Sequence, residues 1–207
     1  MRYYIIIIVL FCLQTNAQNK FKLNIDSFLL GMFDDYNGRY IALDNTEKGT
    51  YLATVKSELS DVFLDTLTKY HKIPKNEIKK LNFSFYNKQL AEHFNKYYKI
   101  EIEPDYEYID EKDGKEYSIY NLSLNEQNFD ENNKKISFLI GFFYKCGFLE
   151  SGEVTLKTAN SPAFENAIHF ISQLGFRYCE LERPEYNIPT VQSVTFKPTE
   201  EYIEYFK

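Results

Sequence analysis

Histidine is the side chain that most often does proton and metal chemistry near neutral pH, and this sequence contains three: His71, His93 and His169. No two of them are spaced i, i+2 or i, i+4, so a histidine metal site would require tertiary contact between distant segments. His169 follows Glu165 by one helical turn, which favours an ordinary solvated contact. His93 is expected on a helix surface and His71 at a helix end. We therefore predict neither a metal ion nor another cofactor.

The sequence lacks the short motifs of the common enzyme classes. It contains no G-x-S-x-G, H-E-x-x-H, Walker loop, C-x-x-C or G-x-G-x-x-G. A thiol nucleophile would need Cys146 beside His169, and neither a recognisable third member nor an oxyanion loop accompanies that pair. We predict no catalytic residues, and the sequence favours binding over catalysis.

Tyrosines and carboxylates are concentrated in residues 104–120, around the turn signal Asp113-Gly114. This pattern predicts a hairpin that carries a binding surface made of Tyr106, Tyr108, Asp110, Glu116, Tyr117 and Tyr120. Tyrosines on a rigid hairpin supply contact area at low entropic cost, and the carboxylates would steer a basic protein partner. The alternative is a solvated hairpin without a partner, because most charge-rich segments lie on the surface.

The chain begins with the pattern of a secretory signal peptide. Arg2 precedes an apolar run from Ile5 to Leu13, and a polar stretch then ends at Ala17. A membrane span needs about 20 apolar residues, whereas a signal peptide core needs only about 7–15. We predict that residues 1–17 are a signal peptide cleaved after Ala17 and that the mature protein is exported, either to the periplasm or to the medium.

Cleavage at that point removes Cys12 and leaves Cys146 and Cys179. Exported proteins usually meet oxidising conditions, so a Cys146–Cys179 disulfide is one prediction. Two buried thiols that behave as small apolar residues are the other.

The overall composition is acidic and aromatic. The formal net charge is −6, and the chain has 18 Tyr, 18 Phe and no Trp. Binding to a phosphate backbone needs clustered Lys and Arg, so the charge argues against a nucleic-acid partner. It is compatible with a soluble protein and with a basic protein partner.

Periodicity and capping signals define the elements. Helices are predicted over residues 24–33, 58–71, 88–98, 134–148, 162–174 and 199–206, and strands over 39–43, 50–55, 81–85, 99–108, 117–124, 153–157, 176–182 and 191–197. Residues 39–43 and 50–55 are expected to pair as a hairpin. Asn87 and Ser161 are the expected caps of the helices that follow them.

These elements predict an α+β fold. Residues 81–157 have the ferredoxin-like order β-α-β-β-α-β, and further α-β-β-α elements follow. Residues 18–207 are expected to form a single domain, or two small packed halves of about 18–130 and 131–207. Two internal echoes, among them SFLLGMF at 27–33 against SFLIGFF at 137–143, indicate a degenerate duplication or a chance match in a Phe-rich chain.

Together these patterns predict an exported, soluble, tyrosine-rich binding protein of the inhibitor or immunity type. An exported hydrolase and a structural component of an envelope assembly are the alternatives. No transmembrane segment is expected after cleavage, and the sequence leaves the oligomeric state open.

Overall fold

The computed structural model describes residues 21–35, 39–41, 51–55, 57–81, 84–109, 114–183 and 191–207. The predicted signal peptide and its cleavage site lie outside these residues. None of the helices described is long and apolar enough to cross a membrane.

In its described residues, the first part of the chain contains three helices and four short strands. In chain order they are α1 (Ile25–Met32), β1 (Arg39–Ile41), β2 (Tyr51–Thr54), α2 (Ser60–His71), β3 (Lys79–Leu81), β4 (Ser84–Tyr86) and α3 (Lys88–Asn95). A long hairpin follows, made of β5 (Tyr98–Ile109) and β6 (Glu116–Leu124).

Over residues 132–183 and 191–207, the last part again contains three helices and four strands. They are α4 (Asn132–Cys146), β7 (Gly147–Glu150), β8 (Glu153–Ala159), α5 (Ala163–Gln173), β9 (Arg177–Glu182), β10 (Val191–Lys197) and α6 (Glu200–Ile203). Short 3-10 turns precede α2, β3 and α4 and end the chain at Glu204–Phe206.

Within the described residues the strands form three antiparallel sheets, with the orders β1-β6-β5, β2-β4-β3 and β7-β8-β10-β9. The predicted α+β class is therefore confirmed. The ferredoxin-like arrangement is not, because the strands of residues 81–157 are divided among all three sheets instead of forming one. The expected pairing of residues 39–43 with 50–55 is also wrong, since β1 pairs with β6 and β2 pairs with β4.

Among the described residues, the same order of elements, α-β-β-α-β-β-α, occurs twice along the chain. We call residues 25–95 the first repeat and residues 132–206 the second repeat. In the second repeat the second, fourth and third strands are neighbours, β8-β10-β9, and in the first repeat the corresponding strands are β2-β4-β3. The β5–β6 hairpin lies between the repeats in sequence.

The two segments that echo each other in sequence pack against each other. They belong to α1 and α4, which cross where Gly31 of one helix meets Gly141 of the other. A Cβ atom on Gly31 would overlap the carbonyl oxygen of Phe138, and one on Gly141 would overlap that of Phe28. The backbone N–H of Asn24 also donates to Ser137 Oγ at 2.8 Å. These contacts join the two repeats through their first helices.

Phenylalanine fills the core around this crossing. Phe63 and Phe94 of the first repeat and Phe138, Phe142 and Phe170 of the second are fully buried. Many of the rings meet edge to face, as do Phe138 and Phe170 at a centroid separation of 5.4 Å. The favourable ring geometry adds to the stabilisation from burial.

Cys146 and Cys179 do not form the predicted disulfide with each other. Cys146 ends α4 directly before β7, and Cys179 lies on β9, so the two belong to opposite edges of the β7-β8-β10-β9 sheet. Three strand spacings, about 14 Å, separate those edges. A disulfide needs Cα atoms about 4.4–6.8 Å apart, so this sheet keeps the two cysteines too distant to bond.

Candidate metal centre

Three metal-ligand side chains from three helices of the first repeat converge on one point. Asp26 lies in the first turn of α1, His71 is the last residue of α2, and His93 is on α3. Among the described residues, they are the group of histidine, cysteine and carboxylate side chains that could hold a metal ion, with one ligand atom from each within 4.8 Å of the others. The fold has therefore assembled a site that no local motif encodes.

Helix capping explains how two of these ligands are positioned. Asn24 caps α1 by accepting a hydrogen bond from Ser27 N, and this places Asp26 at the helix N-terminus, where the helix dipole favours a carboxylate. Asn87 caps α3 as predicted, by accepting from Leu90 N, and its amide also donates to the Glu77 carbonyl. Both caps fix the start of a helix that carries one residue of the cluster.

The chain leaves α2 immediately after His71, because Lys72 adopts the left-handed conformation at φ 57°. The imidazole of His71 consequently projects from a helix C-terminus. It packs edge to face on the rings of Phe94 and His93, at centroid distances of 5.5 Å and 5.0 Å. The aromatic contacts hold the two imidazoles side by side.

Each oxygen of the Asp26 carboxylate faces a different imidazole. Its Oδ2 lies 2.8 Å from His93 Nε2, and its Oδ1 lies 3.1 Å from His71 Nε2. Asp26 Oδ1 and His71 Nε2 are both buried, and apart from their contact with each other neither atom has a hydrogen-bond partner. Such atoms are rare in folded proteins, and here two of them point at each other.

A fourth polar side chain supports the carboxylate. The hydroxyl of Tyr97 donates to Asp26 Oδ2 at 3.2 Å. Burial, together with the nearby Asp26 carboxylate, raises the pKa of Tyr97 to about 12, so the tyrosine stays protonated as a donor. Burial alone would raise the pKa of Asp26, but the facing imidazoles of His71 and His93 hold it below its ordinary value. The carboxylate is therefore an anion at neutral pH.

A cleft of about 260 Å³ opens beside the two histidines. The other side chains that line it are Ile73, Gln89, Leu90, Glu92 and Lys96. The cleft gives solvent and small solutes access to the imidazole side of the cluster.

Sequence reasoning missed this site because each residue has an ordinary local explanation. His71 is at a helix end and His93 is on a helix surface, as predicted, but both also contact Asp26. The spacing of the histidines gives no indication of the contact. The capping pattern at Asn24 and Asn87 is the one local signal that orients two of the elements.

The third histidine lies elsewhere. His169 Nδ1 is 2.7 Å from Glu126 Oε1, whereas the expected partner Glu165 accepts a hydrogen bond from Arg183 at 2.9 Å. The i, i+4 contact predicted for His169 is therefore replaced by a contact with a residue between the repeats.

The predicted tyrosine hairpin exists as β5 and β6. Across it Tyr108 pairs with Tyr117, and Ile109 pairs with Glu116. Glu116 is exposed and Tyr120 is half-buried. Asp110 and the side chains of Tyr106, Tyr108 and Tyr117 lie outside the described residues, so the binding role of this set stays a prediction.

No protein-family model matches the chain, and no curated protein matches it. The chain aligns with solved structures of the homing endonuclease I-DmoI. Mesophilic variants of that enzyme align at 17% identity and a TM-score of 0.40, over 87% of this chain and 92% of theirs. A variant bound to its target DNA with manganese aligns at 16% identity and a TM-score of 0.40, over 86% of this chain and 90% of the variant. Another variant, bound to target DNA with magnesium, aligns at 16% identity and a TM-score of 0.41, over 86% of this chain and 92% of the variant.

Two of these aligned structures are complexes of a nuclease with its target DNA, which differs from several of the predictions made from sequence. Four predictions are corrected on this comparison. They are the exported binding protein of the inhibitor or immunity type, its secreted or periplasmic location, its basic protein partner and the exclusion of nucleic acid. Those predictions rested on the apolar run, the small size, the net charge, the tyrosine- and acid-rich hairpin and the absence of catalytic motifs, and none of these specifies a fold. The alignments are too weak to carry any activity over to this chain.

Proposed function

We propose that this protein binds a divalent transition-metal ion through Asp26, His71 and His93. The observation that carries the proposal is the convergence of three ligand atoms from three helices, two of them buried and without a hydrogen bond. A metal ion bonded to Asp26 Oδ1 and His71 Nε2 would satisfy both atoms at once.

The ligand set favours Zn²⁺ and its neighbours in the first transition series. Two imidazole nitrogens and one carboxylate oxygen suit Zn²⁺, Co²⁺, Ni²⁺ or Fe²⁺, whereas Mg²⁺ and Ca²⁺ prefer sites made of oxygen. The ionised Asp26 carboxylate supplies the negative charge, and Tyr97 orients it from outside.

Metal binding would join α1, α2 and α3 at one point and so stabilise the first repeat. An ion that binds only the folded state at a free concentration of 100 times its Kd adds about 2.7 kcal/mol to the free energy of unfolding. For a chain of this length that corresponds to a rise in Tm of about 5–10 °C.

The test uses the full chain without a histidine tag. We expect one equivalent of Zn²⁺ to bind in calorimetry and to raise Tm, and we expect His71→Ala, His93→Ala and Asp26→Asn to abolish both effects. His169→Ala is the matched control, because it removes a histidine outside the cluster and should leave binding unchanged. Binding that survives His93→Ala, or that His169→Ala removes, would refute the assignment.

A further inference from the structure

Resting on the proposed metal centre, we propose that the bound metal takes a small oxyanion as its exchangeable ligand, held in the cleft between the two histidines and Lys96. The ligand class is a phosphate- or carboxylate-type anion that coordinates through one oxygen.

The number of protein ligands leaves a coordination position for such an anion. Among the described residues, three side chains converge on the centre. Structural zinc sites are closed by four protein ligands, whereas sites with three keep an open position for water or an exogenous ligand. The Tyr97 hydroxyl is already engaged as a donor to Asp26 Oδ2.

Exposure shows the side from which the anion would enter. The Asp26 and His71 side chains are each 13% exposed, whereas the His93 side chain is 37% exposed. The cleft beside His93 has a volume of about 260 Å³, below the usual 300–1,000 Å³ of pockets for drug-sized ligands. The ligand that fits is therefore a small one.

Charge determines the sign of the ligand. A divalent ion with one carboxylate and two neutral imidazoles retains one positive charge, and Lys96 adds another at the wall of the cleft. Glu92 also lines the cleft, and its charge is only partly offset by the exposed Lys88 Nζ 4.0 Å from its carboxylate. The remaining positive charge favours an anion.

The experiment loads the full chain with one equivalent of Co²⁺, whose visible absorption reports its coordination. A Co²⁺ band that His93→Ala removes establishes the metal centre, and titration with inorganic phosphate then tests the anion. We expect phosphate to change the band saturably, acetate to do so more weakly, and chloride at equal ionic strength to leave it unchanged.

Substitutions of residues that line the cleft distinguish binding of the anion from binding of the metal ion. Lys96→Met should weaken phosphate binding up to about fivefold without changing the affinity for Co²⁺, because it removes a partly solvated charge from the wall. Glu92→Gln should strengthen phosphate binding, and Lys157→Met on β8 of the second repeat is the matched control with no effect. A Co²⁺ band that phosphate leaves unchanged, or equal phosphate affinity in Lys96→Met, would overturn this inference alone. Absence of the band in the unmodified chain would overturn the metal centre and the inference together.

Discussion

Asp35 and Lys145 occupy equivalent positions in the two repeats, each four residues after the glycine at which α1 and α4 cross, and they form a buried ion pair. Lys145 Nζ lies 3.1 Å from Asp35 Oδ1, and the lysine side chain is 3% exposed. If two copies of one repeat were to pair in this way, two carboxylates or two ammonium groups would meet. The ion pair therefore favours the pairing of the first repeat with the second.

The rest of the environment satisfies both charges. Asp35 accepts hydrogen bonds from Ser161 Oγ at 2.7 Å and from Ala163 N at 2.8 Å, and Lys145 also donates to the Phe33 carbonyl at 2.9 Å. Burial would raise the pKa of Asp35, but the Lys145 charge and these donors hold it below its ordinary value. A carboxylate from the first repeat thus caps α5 of the second.

Lys145→Met should lower the free energy of unfolding by about 3–5 kcal/mol, because it leaves the Asp35 charge buried without its partner. Urea unfolding measures the loss. The double variant Asp35→Asn with Lys145→Met should lose less than the sum of the single changes, since an asparagine can still accept from Ser161 and Ala163 N. Lys134→Met, which breaks the exposed pair with Asp130, is the control and should cost less than about 1 kcal/mol. A similar small cost for Lys145→Met would contradict the role of the pair.

The pH dependence of stability should report the same carboxylate. Because the pKa of Asp35 is lower in the folded state than in the unfolded chain, its contribution is complete above the ordinary carboxyl pKa and is lost as the pH falls through the lower, folded value. The stability difference between the unmodified chain and Asp35→Asn should therefore shrink below about pH 4. Urea unfolding at a series of pH values measures this, and a difference that is constant with pH would be inconsistent with a buried, ionised Asp35.

At the glycines of the α1–α4 crossing, we expect a Gly→Ala substitution to change stability in the opposite direction to the usual one. In a helix interior, Gly→Ala ordinarily stabilises by about 1 kcal/mol. Here Gly141→Ala should lower the free energy of unfolding by about 1–3 kcal/mol, because the new methyl group would overlap the Phe28 carbonyl. A backbone carbonyl cannot rotate out of the way as a side chain can. Chemical unfolding decides the sign. A neutral or stabilising Gly141→Ala would show that the helices do not meet at these glycines.

The sequence predicted most elements because their signals are local. The helix that begins at Lys88 and its Asn87 cap were found from periodicity and capping chemistry. Ser161 was expected to cap α5, but its hydroxyl donates to Asp35, a residue from the other repeat. The partners of β1 and β2 were missed for the same reason, since strand pairing and buried polar contacts depend on segments far apart in the chain. The contact of Asp26 with His71 and His93 is of this kind, so no spacing rule could reveal it.

Tyr97→Phe tests whether the metal centre is organised beyond its ligands. The variant keeps the aromatic ring beside His93 and removes the hydroxyl that donates to Asp26 Oδ2. A hydrogen bond of this kind fixes the orientation of a ligating carboxylate, and its loss typically weakens metal affinity 10–100-fold. We expect Tyr97→Phe to bind Zn²⁺ at the same stoichiometry with a Kd raised by about that factor, measured by competition with a chelator. Tyr144→Phe, at a half-buried tyrosine of the second repeat, is the matched control and should leave the Kd unchanged. Equal Kd values for Tyr97→Phe and the unmodified chain would show that the carboxylate is positioned by the helix alone.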